Sequence, residues 1–256
     1  MLLNYVNILE RKISIGAVGY LNTKPLLYGL AHGQLSDQVE LVLDYPANLV
    51  RLLQSNQIDI GLIPVGALAS LGDYHIISDY CIGTEGEVAS VAVFSEVPME
   101  EIDTVLLDYQ SRTSVMLCKI LFEKYWKKKV QFIDAKDESY IDNIRGNVAG
   151  LVIGDRALKI RDAFKYKFDL GLGWKEMTGL PFVFAVWVRK KEISGEFIPL
   201  FNEANGMGLS KINLIISHNN ESSYPMDTYF RKNISYRLTE GMRESMSLYL
   251  SFLKNI

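Results

Sequence analysis

The stretch EVASVAVFS (87–95) decides the predicted fold, together with a second apolar stretch, FVFAVWV (182–188). Both are short and rich in apolar, β-branched residues, which is typical of buried strands. The segment between them restarts the alternation of strands and helices that precedes it. The simplest topology has the chain leave one α/β lobe by the first strand and return by the second. The sequence therefore predicts two lobes, 1–95 with 186–256 and 96–185, a hinge of two strands, and a cleft between the lobes.

Short apolar runs and helical patterns alternate on both sides of this first stretch. Before it, strands are predicted at 12–18, 39–44 and 58–65, and helices at 22–32 and 46–57. Such alternation indicates βαβ units and a largely parallel sheet. The middle segment repeats the pattern, with strands at 104–108, 130–133 and 148–154 and a helix at 111–126. Helices with polar faces are predicted over 194–256.

The composition is that of a globular protein, and it excludes several classes of function. Of the 256 residues, 48% are hydrophobic and 22% are charged, which is too apolar for a disordered chain. The net charge of −3 argues against a nucleic-acid-binding domain. No run of uncharged apolar residues approaches the roughly 20 that a membrane span needs, so no membrane partner is predicted.

Two features bear on the compartment. The N-terminal stretch MLLNYVNILERK (1–12) lacks a basic start and a small-residue cleavage site, so it is not predicted to be a secretion signal. Cys81 and Cys118 are too few for a disulfide framework and are predicted to be free, buried thiols in a reducing compartment. The chain is therefore expected in the cytoplasm.

The sequence lacks the motifs that commonly hold a metal or a phosphate. His32, His75 and His218 are not spaced with Cys, Asp or Glu as metal ligands would be. It contains neither a glycine-rich phosphate loop nor a GxSxG nucleophile motif. We therefore expect no metal and no cofactor, and a chemistry that uses neutral polar groups, carboxylates or the substrate itself.

The stretch GYLNTKPL (19–26) joins the end of a predicted strand to the start of a predicted helix. In open α/β sheets, ligands bind beyond the carboxyl ends of strands, where helix N-termini present unpaired N–H groups. Asn22 and Thr23 are also good N-caps. Position alone therefore leaves both capping and ligand contact open for these two residues.

The stretch DYQSRTSVML (108–117) places Ser111, Arg112, Thr113 and Ser114 at a predicted helix start. Several hydroxyls and a guanidinium at the positive end of a helix suit an oxyanion ligand. The same run could instead cap the helix, with Arg112 in solvent. Both interpretations remain open.

Two further candidates lie at strands. Ser90 lies within an apolar strand, where its hydroxyl needs a partner, either the backbone or a ligand. In IGDRAL (153–158), Gly154 and Asp155 follow a strand of the second lobe, and an N-cap is the favoured role for Asp155.

Taken in order, these stretches resemble the MqnA-type chorismate dehydratases of the futalosine route to menaquinone. The resemblance rests on GYLNTKPL (19–26), IDIGLIPV (58–65), CIGTEGEVASVAVFS (81–95), LDYQSRTSVML (107–117), IGDRAL (153–158) and GLPFVFAVW (179–187). It covers residues 12–190 well and the C-terminal helices only loosely. The family implies a two-lobed, periplasmic-binding-protein-like α/β fold of type II with a two-strand hinge.

The resemblance also implies a reaction. Members of this family remove water from chorismate to give 3-[(1-carboxyvinyl)oxy]benzoate; the proton leaves ring carbon 3 and the hydroxyl leaves carbon 4. Asn22 and Ser90 would be the catalytic residues. The implied substrate-binding residues are Tyr20, Thr23, Thr84, Ser111, Arg112, Thr113, Ser114, Gly154 and Asp155. No metal and no cofactor are implied, and the partner is the small-molecule substrate.

The resemblance leaves the proton acceptor undecided. A neutral amide such as that of Asn22 is a poor base in water, and the enolpyruvyl carboxylate of the substrate is the alternative. The chain also departs from the family pattern at three positions. Gly19 and Thr84 stand where Ser is common, and Glu87 stands where Pro is common. Glu87 would add a negative charge near the site if its side chain faces inward.

Two other functions remain alternatives at this point. One is a small-anion binding protein of the same fold without catalysis, since fold alone does not decide function. The other is the sister enzyme of the same pathway, which splits a dehypoxanthine futalosine. That enzyme relies on a histidine, and no cleft motif of this sequence supplies one.

Overall fold

The strands fall into two sheets, one in each lobe of the computed structural model, which describes residues 11–218 and 224–254. In chain order they are β1 (Ile13–Ala17), β2 (Val39–Leu43), β3 (Ile60–Pro64), β4 (His75–Thr84), β5 (Val91–Ser95), β6 (Thr104–Leu107), β7 (Gln131–Asp134), β8 (Val148–Ile153), β9 (Tyr166–Asp169), β10 (Phe182–Arg189) and β11 (Ser235–Arg237). The prediction about secretion falls mainly on residues 1–10, which lie outside the described residues.

Each sheet contains three neighbouring strands that are paired in parallel. The first sheet has the order β11-β4-β10-β3-β1-β2, with β1 parallel to β2 and β3. The second has the order β7-β6-β8-β5-β9, with β6 parallel to β7 and β8. In both sheets one antiparallel strand is inserted, β10 between β3 and β4, and β5 between β8 and β9. The predicted two-lobed α/β architecture is confirmed.

Helices cover these sheets. They are α1 (Lys24–His32), α2 (Pro46–Gln54), α3 (Arg112–Lys124), α4 (Gly154–Ile160), α5 (Leu170–Thr178), α6 (Phe197–Ser210), α7 (Ile212–Ser217), α8 (Met226–Thr228) with a π-helical turn at Tyr229–Asn233, and α9 (Glu240–Leu253). The backbones of α1 and α6 touch, because a Cβ atom on Gly29 would lie 1.7 Å from the carbonyl oxygen of Ala204. This close packing fixes α1 and the turn that precedes it.

The chain passes between the sheets twice, at 85–90 and at 170–181. The strand predicted to lead out of the first lobe, 87–95, lies within the second sheet from Val91 onward. The returning strand predicted at 182–188 lies within the first sheet. Both crossings therefore come several residues before the predicted lobe boundaries. A buried apolar strand has the same sequence pattern in either sheet, so composition alone could not assign it.

Buried apolar side chains form one main core that extends through both lobes. Cys81 and Cys118 lie in this core as free thiols, and burial raises the pKa of each well above its usual value. Within the described ranges, the helices are too short or too polar to cross a membrane.

Candidate active site

A small cavity lies between the lobes, beyond the carboxyl ends of β1 and β3. Its volume is about 80 Å³, and it adjoins a larger cavity of about 440 Å³ with which it shares Pro46, Pro64 and Ser111. Seven predicted site residues line the small cavity: Tyr20, Asn22, Thr23, Ser90, Ser111, Ser114 and Gly154. The fold thus brings together residues from four separate stretches of sequence. Arg112 is exposed and lines the larger cavity.

The first lobe contributes a 3-10 turn, Leu21–Thr23, that leads directly into α1. Neither side-chain oxygen of Asn22 or Thr23 caps the helix; the Thr23 hydroxyl instead donates to the Asn22 amide oxygen, 3.2 Å away. The hydroxyl of Tyr236 donates to the Asn22 backbone carbonyl at 3.0 Å. The backbone of Asn22 is therefore held from behind, and its side chain lines the cavity.

The second lobe contributes the start of α3. Ser111 is its N-cap, because its hydroxyl oxygen accepts a hydrogen bond from the backbone N–H of Ser114 at 3.2 Å. Ser111 therefore both caps α3 and lines the cavity. Thr113 is turned away from the cavity: its hydroxyl oxygen accepts from the Gly66 N–H at 2.9 Å, and its carbonyl accepts from the Tyr249 hydroxyl at 3.0 Å. Thr113 therefore ties the lobes together.

Ser90 is completely buried at the end of the first crossing. The hydroxyl of Tyr229 lies 2.9 Å from its Oγ atom, whereas the nearest backbone acceptor, the Val88 carbonyl oxygen, is 3.5 Å away. The N–H of Gly154 donates to the Ser90 carbonyl at 2.7 Å. The main side-chain partner of Ser90 is therefore Tyr229, a residue that sequence reasoning missed.

A buried carboxylate fixes the same crossing. Asp169, at the start of the second crossing, accepts hydrogen bonds from the N–H groups of Val88 at 3.1 Å, Ala89 at 2.8 Å and Leu172 at 3.0 Å. Ala89 has a positive φ of 62°, which an alanine rarely adopts unaided. Burial raises the pKa of Asp169 to about 6, against the opposing effect of these hydrogen bonds.

Besides Arg112 and Thr113, two predicted site residues, Asp155 and Thr84, do not line the small cavity. Asp155 does not cap α4, which begins at Gly154; its carboxylate accepts from the Leu21 N–H of the other lobe at 3.1 Å. The N-cap prediction is wrong because α4 begins at Gly154, two residues before the predicted start, which places Asp155 in the first turn. Gly154 has a φ of +65°, which only a glycine readily takes. The hydroxyl of Thr84 lies 3.1 Å from the Gly86 carbonyl oxygen and shapes the first crossing.

A polar network along the walls of the two cavities joins the lobes: Tyr20 lines the small cavity, and Asp108 and Gln110 line the larger one. The Tyr20 hydroxyl donates to Gln110 Oε1 at 2.7 Å, and Arg156 Nη2 donates to the same oxygen at 3.1 Å. Arg156 also forms an ion pair of 2.7 Å with the buried carboxylate of Asp108. Burial raises the pKa of Tyr20 to about 12, so its hydroxyl keeps its proton and acts as a donor. These contacts hold Tyr20 against the second lobe.

Glu87, the acidic departure from the family pattern, is paired. Its carboxylate forms an ion pair with Arg161, and Arg161 also donates to the Ala89 carbonyl at 3.0 Å. Glu87 is absent from the residues that line either cavity. In the described part of the chain, His, Cys, Asp and Glu side chains form no group of three or more that could hold a metal ion.

Comparisons with known sequences agree on one family. A family model described as menaquinone biosynthesis matches residues 13–255. A chorismate dehydratase of Thermus thermophilus is 28% identical over 203 residues, which make up 71% of this chain and 71% of that protein.

Solved structures share the fold at low identity. A protein of Archaeoglobus fulgidus has a TM-score of 0.73 at 16% identity, over 95% of this chain and 97% of its own. A Candida albicans protein with the generic periplasmic binding protein fold has a TM-score of 0.66 at 12% identity, over 94% and 90%. The periplasmic aliphatic sulphonate binding protein of Escherichia coli has a TM-score of 0.64 at 14% identity, over 96% and 87%. The predicted periplasmic-binding-protein-like fold is confirmed.

Proposed function

Since the chain belongs to the menaquinone biosynthesis family, we propose that it is a hydro-lyase that removes water from chorismate and forms 3-[(1-carboxyvinyl)oxy]benzoate on the futalosine route. One observation carries this proposal beyond the family match. The residues that line the small cavity include hydroxyls and an amide from both lobes, but no Asp, Glu, His, Lys or Arg among the described residues. Such a site suits a reaction in which the substrate supplies its own base.

The proposed reaction is driven by the formation of an aromatic ring, so it needs few catalytic groups from the protein. The bond between ring carbon 3 and its hydrogen breaks, and the enolpyruvyl carboxylate of the substrate takes the proton. The released electron pair forms a ring double bond as the bond between carbon 4 and oxygen breaks. The carboxylic acid so formed passes this proton to the departing hydroxide, which leaves as water and restores the carboxylate. The protein has to orient the substrate and hold the departing oxygen.

Asn22 and Ser90 are the residues we propose for the departing oxygen. Both line the small cavity, and each carries a neutral group that can donate a hydrogen bond to a developing negative charge. A carboxylate of the substrate would bind at the start of α3. There the Ser111 and Ser114 hydroxyls lie 2.9 Å apart, and Arg112 extends into the adjoining cavity.

Incubation with chorismate tests the proposal. We expect an aromatic product whose mass equals that of chorismate less one water, detected by liquid chromatography with mass spectrometry and by loss of the diene absorbance. Binding of chorismate without product would favour the small-anion binding protein. Cleavage of dehypoxanthine futalosine by the same preparation would favour the sister enzyme. Either result would overturn the proposed reaction.

Glu87→Gln is expected to have little effect. The Glu87 side chain is 44% exposed and pairs with Arg161, so losing its charge should lower the free energy of unfolding by about 1 kcal/mol or less. The KM for chorismate should stay within about twofold of the wild-type value, because an ion pair outside the cavity does not contact the substrate. Urea unfolding and steady-state kinetics measure the two effects. A large rise or fall in KM would mean that Glu87 reaches the bound anion.

A further inference from the structure

Tyr229 lies directly behind the cavity, where the first crossing meets the C-terminal part of the chain. Its side chain is fully buried and begins a π-helical turn, a rare conformation that is frequent at functional sites. The rings of Tyr224 and Phe230 pack against it, with centroids at 6.3 and 5.5 Å. Its hydroxyl is 2.9 Å from Ser90 Oγ. The position of this hydroxyl is therefore tightly determined.

The hydrogen bond between Tyr229 and Ser90 has a direction. A phenol hydroxyl has one proton, and the Tyr229 hydroxyl donates it to Ser90 Oγ at 2.9 Å. Ser90 Oγ therefore accepts from Tyr229 and keeps its own proton for another partner.

The proton of Ser90 is then directed by elimination. One lone pair of its Oγ atom is occupied by Tyr229, and its nearest backbone acceptor, the Val88 carbonyl oxygen, is at 3.5 Å, where a hydrogen bond is weak. Ser90 also lines the cavity. An acceptor placed in the cavity would be the better partner for this proton.

We infer that Tyr229 is a positioning residue: it donates to Ser90 Oγ, so that the Ser90 hydroxyl donates into the cavity, toward the departing oxygen of the substrate. This inference rests on the proposed function. Tyr229 does not itself line the cavity, so it acts through Ser90. Consecutive hydrogen bonds with one direction also polarise one another, which strengthens the last donor.

A double-mutant cycle tests the inference. Tyr229→Phe removes only the hydroxyl, and we expect kcat for chorismate to fall about tenfold, with KM within about twofold, because orientation matters most in the transition state. In a Ser90→Ala background, the same substitution should change kcat by less than about twofold, because the group that it orients is gone. Tyr224→Phe is the matched control: its hydroxyl lies 3.0 Å from Asn233 and its ring packs on Tyr229, but kcat should stay unchanged.

The outcomes separate this inference from the proposed function. Equal effects of Tyr229→Phe in the wild-type and Ser90→Ala backgrounds would overturn the positioning role while the dehydratase activity stands. A wild-type chain that forms no product would overturn the proposed function. In that case, the Kd of 3-[(1-carboxyvinyl)oxy]benzoate is measured by calorimetry for the wild type and for the same single and double variants. Coupling between the two substitutions would then support the orientation of Ser90, and additive effects or an absence of binding would overturn it.

Discussion

Asn22→Ala should lower kcat for chorismate about a hundredfold and leave the fold intact. The loss corresponds to one donor to a developing negative charge, which is worth about 100- to 1000-fold in other enzymes. The stability effect should be small, because the Asn22 side chain does not cap α1. Its backbone carbonyl, which accepts from Tyr236, is unchanged by the substitution. Steady-state kinetics and thermal unfolding measure the two quantities.

Asn202→Ala provides the control for this experiment. Asn202 lies on α6 of the same lobe, away from both cavities, and its amide oxygen accepts from the Ser78 hydroxyl at 2.7 Å. Its loss should lower stability slightly and leave kcat unchanged. A kcat for Asn22→Ala within about twofold of the wild-type value would contradict the catalytic role of Asn22.

Asp169→Ala should destabilise the protein by about 3–5 kcal/mol, because three backbone N–H groups lose their acceptor in a buried place. Two of them belong to the first crossing, so Ser90 should also lose its position and activity per folded molecule should fall. Urea unfolding gives the free energy. Asp137→Ala, which removes an exposed capping carboxylate, should cost only about 1 kcal/mol. Equal losses of unfolding free energy in the two variants would mean that the buried hydrogen bonds of Asp169 contribute no more than an exposed cap does.

Asp169 should also give the stability a particular pH dependence. Its pKa is raised to about 6 in the folded protein, above the value of an unfolded chain, 3.8. Between these two values unfolding releases the proton of Asp169, so raising the pH favours the unfolded state. The wild type should therefore lose stability relative to Asp169→Asn as pH rises from about 4 to about 6. A constant difference across this range would show that the folded pKa of Asp169 is not raised.

Much of the fold could be predicted from hydrophobic patterning. The strand predicted at 12–18 contains β1, and the helix predicted at 111–126 contains α3. A short strand is predicted at 75–78, but β4 continues past the polar residues Ser78 and Asp79 to Thr84, because pairing with β10 extends it. β11 lies in a segment predicted as helix, since three residues give too short a pattern to recognise.

The site could be predicted only where local sequence carries a signal. Ser111 stands out because several hydroxyls crowd one helix start. Tyr229 lies 139 positions after Ser90 and has no motif around it, so only the fold shows their contact. Asp169 resembles an ordinary N-cap, and it does cap α5. Its bonds to Val88 and Ala89 connect segments some 80 positions apart, and no sequence period reports them.

The place of β10 between β3 and β4 has a consequence for synthesis on the ribosome. When residue 95 has been made, the first lobe has four of its six strands and lacks the one that joins β3 to β4. The second lobe takes all five of its strands from the continuous segment 91–169. Its sheet can thus be completed before that of the lobe that precedes it. Until β10 emerges, the facing edges of β3 and β4 remain unpaired and are the segments most open to wrong pairing between nascent chains.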